Sequence, residues 1–173
     1  SAVGGGKDTP LEMSCRAAAT YAKQLLDERN NVALMIYGES IERIDLDRGE
    51  HHLFKILTAL SSATPKGNLK LEIVMKDMLP YIPSGSPIIL FSSLDDDHTI
   101  SEAFTNTISR GYNITTISPS SLDFEEKMKR IPVQPLLIAR IERDNMISEI
   151  RSFGMQVGDW KSDEAVNTAL QEV

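Results

Sequence analysis

The stretch Ser86-Pro87-Ile88-Ile89-Leu90-Phe91-Ser92-Ser93-Leu94-Asp95-Asp96-Asp97 constrains the fold more than any other part of the chain. A short apolar run entered through Pro83-Ser84-Gly85-Ser86-Pro87 and left through three aspartates has the pattern of a strand buried on both faces. Such strands belong to parallel sheets covered by helices, because period-two alternation disappears when neither face meets water. In open α/β sheets ligands gather beyond the carboxyl ends of strands. Asp95, Asp96 and Asp97 fall there, so a site is expected at that end.

The flanking segments repeat the alternation of helix and strand. Thr9-Pro10-Leu11-Glu12 predicts a helix start, with Thr9 as cap, Pro10 in the first turn and Glu12 completing a capping box. Leu11, Cys15, Ala18, Ala22, Leu25 and Leu26 follow at helical spacing, and the small residues let this helix lie close on a sheet. Val32 to Tyr37 is a second all-apolar strand stopped by Gly38, and the more polar Ile41 to Leu46 suggests an edge strand after a hairpin-like turn. Helices are expected around Leu53–Leu60 and Leu71–Met78, with a loop from Ser61 to Asn68 between them. Thr99-Ile100-Ser101-Glu102 predicts a second capping box, on a helix that ends at Gly111. Strands are expected over Tyr112–Ile117 and Met155–Trp160. Helices are expected over Asp123–Arg130, over Leu136–Phe153, and from a cap at Ser162 to Val173. This order implies right-handed crossovers and a Rossmann-like, doubly wound, mostly parallel sheet in a single domain spanning residues 1–173.

Composition excludes several functions. The chain has 173 residues, 41% hydrophobic and 25% charged, ordinary for a globular domain. Its net charge of -7 disfavours nucleic acid as a partner. The basic cluster Lys127, Lys129 and Arg130 follows Glu125 and Glu126 and reads as a solvated helix face. Cys15 is the single cysteine, which rules out an intrachain disulfide, and its place on an apolar helix side favours packing over reactivity. No apolar run approaches the ~20 residues needed to span a bilayer. The opening Ser1-Ala2-Val3-Gly4-Gly5-Gly6 reads as a mid-protein loop.

Catalytic patterns are missing. Gly4-Gly5-Gly6-Lys7-Asp8 lacks the preceding strand and the Ser or Thr that must follow the lysine of a phosphate-binding loop. His51, His52 and His98 form no paired-histidine zinc motif, and His51-His52 is expected in an exposed first helical turn. Ser92-Ser93 lacks the glycine turn of a nucleophile elbow. Arg140, Glu142, Arg143 and Asp144 read as one charged helix face, and Trp160 as a packing residue. The remaining constellation is Asp95, Asp96 and Asp97, joined by Thr64 from a loop that could approach the same sheet end. Hard cations such as Mg²⁺ or Ca²⁺ take such oxygen sets. The bland alternative is that the aspartates favour the positive end of the following helix and solubilise the loop.

Several segments, taken in order, resemble the "domain of unknown function 58" proteins, relatives of the von Willebrand factor A domain. They are Thr9-Pro10-Leu11-Glu12, Arg16-Ala17-Ala18-Ala19, Val32 to Gly38, Ile88 to Ser92, Arg110-Gly111-Tyr112, Ile117-Ser118-Pro119, and Gly154 to Val157 running into Asp159-Trp160. The resemblance implies a Rossmann-like sheet with a metal-ion-dependent adhesion site built from an Asp-x-Ser-x-Ser loop, a threonine and an aspartate. Thr64 and Asp95 would match the last two. The chain has no Asp-x-Ser-x-Ser, so the resemblance implies a domain truncated at its N-terminus, without the first central strand and with a degenerate metal site at Thr64, Asp95, Asp96 and Asp97. It also implies a parent anchored by N-terminal membrane segments with this domain in the cytoplasm, acting beside a MoxR-type AAA+ ATPase on client proteins, with Mg²⁺ bound in the full-length parent.

The expectation for function is therefore a non-enzymatic protein-interaction module with no cofactor of its own. The alternative is a Mg²⁺-dependent enzyme or small-molecule binder using the acidic sheet end. A third expectation is homo-oligomerisation through exposed strand edges.

Overall fold

The computed structural model describes residues 9–94, 97–128 and 131–161. The helix α1, Pro10–Asp27, opens with the reciprocal cap expected of its sequence: the Glu12 amide donates to Thr9 Oγ1 at 3.2 Å, and the Thr9 amide donates to Glu12 Oε2 at 2.8 Å. The strands β1, Val32–Tyr37, and β2, Ile41–Asp47, then form an antiparallel hairpin. Two helices follow, α2 over Glu50–Ser62 and α3 over Leu71–Met78, and a short 3-10 turn, Leu79–Tyr81, leads out of α3. Three strands, β3 (Ile88–Phe91), β4 (Ile114–Pro119) and β5 (Gln156–Trp160), pair in that order, all parallel. They alternate with α4 (Ile100–Ser109), α5 (Ser121–Lys127) and α6 (Val133–Ser152). The helix expected from Ser162 onward lies outside the described residues. No described helix is long and apolar enough to cross a membrane.

Period-two alternation divides the strand side chains between two helical layers. Ile89 and Phe91 of β3, Ile117 of β4 and Trp160 of β5 pack against Met13, Ala17 and Tyr21 of α1. The opposite face carries Leu90, Ile114 and Val157, which bury against Leu71 and Met75 of α3, Phe104 of α4, and Ile147 and Ile150 of α6. On the hairpin, Val32, Leu34 and Ile36 join Ala22 and Leu26 of α1 and Ile56 and Leu60 of α2 in a third cluster. The protein is thus a mixed α/β fold with a three-stranded parallel sheet flanked by helices.

Among the described residues the strands fall into two sheets: β1 bonds only to β2, β3 bonds only to β4, and no strand lies between β1 and β3. The strand read as buried on both faces is therefore an edge strand. Leu90 is buried, while Ile88, Ile89 and Phe91 are half-buried.

Two further residues depart from their expected places. His52 is not exposed but buried, with Nε2 2.6 Å from the Val32 carbonyl oxygen, so it ties α2 to the start of β1. Thr99 forms no capping box. Its hydroxyl donates to Asp97 Oδ1 at 2.6 Å and accepts from the Glu72 amide of α3 at 3.5 Å, so it is turned toward α3 and away from the amides of its own helix.

The loop after α2 is locked onto the end of β1 by two glycines. Gly67 has φ 87°, and a Cβ there would collide with the backbone of Gly38 and Glu39. A Cβ on Gly38 would collide with the Lys66 carbonyl oxygen. This contact brings residues 64–70 to the carboxyl end of β1, where the Leu69 amide donates to Gly38 O at 3.2 Å. We expect Gly67→Ala to lower stability by about 2 kcal/mol or more, since left-handed strain and a backbone clash coincide. Urea unfolding measures it. A loss under half that size would show that the loop relaxes freely.

Candidate functional site

The carboxyl rim of the parallel sheet is held by a buried arginine that sequence reading had placed on the surface. Arg143 of α6 is 7% exposed. Its Nη1 donates to the Ser93 carbonyl oxygen at 2.9 Å, just beyond β3. Its Nη2 donates to the Ser118 carbonyl oxygen at 3.1 Å and to Ser118 Oγ at 3.0 Å, on β4. Nε and Nη2 both donate to Asp159 Oδ1 on β5, at 3.2 and 2.8 Å. One guanidinium therefore joins the ends of three strands, a task that needs the planar fork of arginine. The signal was present in the spacing. Arg143 stands four residues before Ile147 and seven before Ile150, on the buried face of α6. Arg140 does lie outward, paired with Asp123 Oδ1 at 2.9 Å and Glu126 Oε2 at 2.5 Å of α5.

The exit from β3 is tightly bonded. Ser118 Oγ also donates to the Ser93 carbonyl oxygen at 3.0 Å. Leu94, buried, takes the left-handed φ of 60°, uncommon for a residue other than glycine, and its amide donates to Ser92 Oγ at 3.3 Å. The same Ser92 oxygen accepts from Tyr37 Oη at 3.1 Å, which links the end of β1 to the end of β3. Burial raises the pKa of the Tyr37 phenol, the Ser92 bond offsets part of this, and the charge of Asp97 adds to the rise. The phenol therefore remains a donor at neutral pH.

Asp97 is the one member of the aspartate trio within the described residues; Asp95 and Asp96 lie outside them. Its Oδ2 accepts the Leu71 amide at 2.7 Å, and its Oδ1 accepts the Thr99 amide at 2.9 Å as well as the Thr99 hydroxyl. The reason lies in α3, whose cap position is Lys70, a side chain with no acceptor. Asp97 supplies from another loop the oxygen that the helix cannot supply itself. Burial works to raise the Asp97 pKa, but the bonds from Leu71 and Thr99, with Lys70 beside them, outweigh it and hold the carboxyl below the usual aspartate range.

Asp97 is engaged as a helix cap, and a cation bound to it would compete with the Leu71 and Thr99 donors. Thr64 arrives at the same end of the fold through the Gly38–Gly67 contact, but among the described residues no hydrogen bond joins it to Asp97. No three His, Cys, Asp or Glu side chains among the described residues are grouped to hold a metal ion. Elsewhere, burial and then Glu12 raise the pKa of the half-buried Cys15 thiol, which lowers its reactivity. Trp160 packs in the core beside Met13 and Ile117.

Two substitutions probe the rim. Arg143→Met removes the charged partner of the Asp159 carboxylate and one donor each from the Ser93 and Ser118 carbonyls, so a loss of about 3 kcal/mol is expected in urea unfolding. Arg143→Lys should recover less than half of it, and full recovery would show that charge alone suffices. Asp97→Asn should cost about 1 kcal/mol at pH 7, the usual magnitude of a helix cap. The folded pKa of Asp97 lies below the unfolded one, so its contribution is complete above about 3.9 and is lost as pH falls through the folded value. The gap between wild type and Asp97→Asn should therefore narrow in acid, and a gap independent of pH would exclude the charged cap.

No protein-family model and no curated protein sequence matches the chain. Among solved structures, it is similar to the conserved hypothetical protein BatB from Bacteroides thetaiotaomicron, with a TM-score of 0.48 and 14% sequence identity over 61% of this chain. The match covers 56% of that protein's length, so the chain spans little more than half of it.

Proposed function

We propose that this chain is a non-enzymatic protein-interaction module of von Willebrand A-like, doubly wound descent. Its partner is a MoxR-type AAA+ ATPase or a client of that ATPase, met on the cytoplasmic side of a membrane-anchored parent. The observation supporting this reading is the state of the rim. Asp97, Arg143, Ser118 and Asp159, the polar groups most able to do chemistry at the strand ends, are all bonded within the fold. A rim so tied presents a fixed shape to another protein and, among the described residues, leaves few groups for acid–base work.

The test is capture of a purified MoxR-type ATPase by the immobilised chain, with and without Mg²⁺. Retention under either condition is expected, and no retention under both would overturn the partner assignment. Calorimetry with Mg²⁺, Mn²⁺ and Ca²⁺ separates the alternative. A saturable heat that disappears in Asp95→Ala or Asp96→Ala would favour a metal-dependent enzyme or small-molecule binder instead.

A further inference from the structure

We propose that the N-terminal half of α6 is a self-association surface, which pairs antiparallel, about a two-fold axis, with the same half-helix of a second copy of the chain. The contact involves this chain alone, so it stands or falls separately from the partner proposed above.

The character of α6 changes along its length. From Arg143 onward it packs as a helix on a sheet should, with Arg143, Ile147 and Ile150 buried. The Arg143 guanidinium bonds at the strand ends, so the turns before it lie beyond the sheet. Val133 to Glu142 thus projects past the rim for up to roughly 15 Å. One flank of this half is covered: Leu136 is buried, and Arg140 is tied to Asp123 and Glu126 of α5.

A projecting helix should be polar on its remaining surface, and this one is not. Val133 is 82% exposed, Leu137 and Ile138 are each 59% exposed, and Ile141 is 53% exposed. These aliphatic side chains crowd onto the same few turns, and a contiguous apolar patch of that kind marks an interface.

The order of residues along the patch selects a second copy as the occupant. Val133, Leu137 and Ile141 recur at a spacing of four and form one ridge. Asp144, which is exposed, follows Ile141 by three residues. Arg130, outside the described residues, precedes Val133 in the sequence by three. The pattern is therefore symmetric about Leu137: aliphatic residues flanked at equal distances by charges of opposite sign. Intervals of three and four are those of a helix-pairing seam. A two-fold axis at Leu137 sets that residue on its own copy, Val133 on Ile141, and Arg130 on Asp144 at both ends. Parallel pairing would instead set each charge against its like. The antiparallel arrangement also places the two folded bodies at opposite ends of the helix pair, where they do not collide. The contact is short and falls at the small end of specific interfaces, so the dimer is expected to form only as concentration rises.

Sedimentation velocity on the whole chain, from micromolar to millimolar protein, should show a monomer–dimer equilibrium. Leu137→Glu should weaken the dimer at least tenfold and leave the thermal midpoint within a few degrees, because this side chain lies outside the core. Asp144→Arg and Arg130→Asp should each be monomeric where the wild type is half dimeric. An equimolar mixture of those two variants should recover the dimer, since opposite charges then meet at both ends. Hydrogen exchange gives a reading that needs no variant: rising concentration should slow exchange in the first half of α6 and leave β2 unchanged. A monomer at every concentration would overturn the proposal. So would a dimer that survives Leu137→Glu, one that leaves exchange in α6 unchanged, or a mixture no more associated than its separate components.

Discussion

The guanidinium of Arg143 is the interaction on which the upper end of this molecule depends. Parallel strands end together, and their last carbonyls point into the region where the chain must turn away toward helices. Here those carbonyls are also buried beneath α6, so each needs a donor. For Ser93 and Ser118 that donor comes from one side chain, and the charge that makes it a strong donor is balanced by Asp159. The consequence is rigidity: β3, β4 and β5 cannot shift relative to one another without breaking a charged hydrogen bond.

Asp97 performs the same service one layer away. The loop after β3 gives its carboxylate to the start of α3, so the β3 exit, α3 and α4 behave as one unit through Leu71 and Thr99. The Gly38–Gly67 contact brings the loop ahead of α3 back to the end of β1, and Tyr37 reaches from there to Ser92. Polar bonds at the strand ends, rather than a continuous sheet, connect the hairpin to the parallel strands at this end of the fold.

Which parts of this were legible in the sequence follows from the range of each interaction. The α1 cap was legible because Thr9 and Glu12 are three residues apart and satisfy each other locally. The apolar runs at Val32–Tyr37 and Ile88–Phe91 were legible because strand formation leaves a contiguous pattern. Thr99 misled, since its hydroxyl is oriented by Asp97 toward the Glu72 amide of α3, a partner distant in sequence that the capping pattern does not consider. His52 and Arg143 misled for a different reason. Each is a polar residue at an inward helical position, and only its partner, Val32 in one case and three strand ends in the other, makes burial affordable. Of the residues expected at the site, Asp97 is bonded as a helix cap, a role set by Lys70 and Leu71 on a distant segment and so not readable from the aspartate run.

Trp160 gives the molecule an internal optical reporter. It is the sole tryptophan of the chain, and it lies where β5 meets α1, with Met13 and Ala17 against it. Any event that lifts α1 from the parallel sheet would bring water to that indole and redden its emission, whereas fraying of the hairpin or of α2 would leave the spectrum unchanged. The intrinsic fluorescence of this protein thus follows one contact between two layers, not unfolding in general.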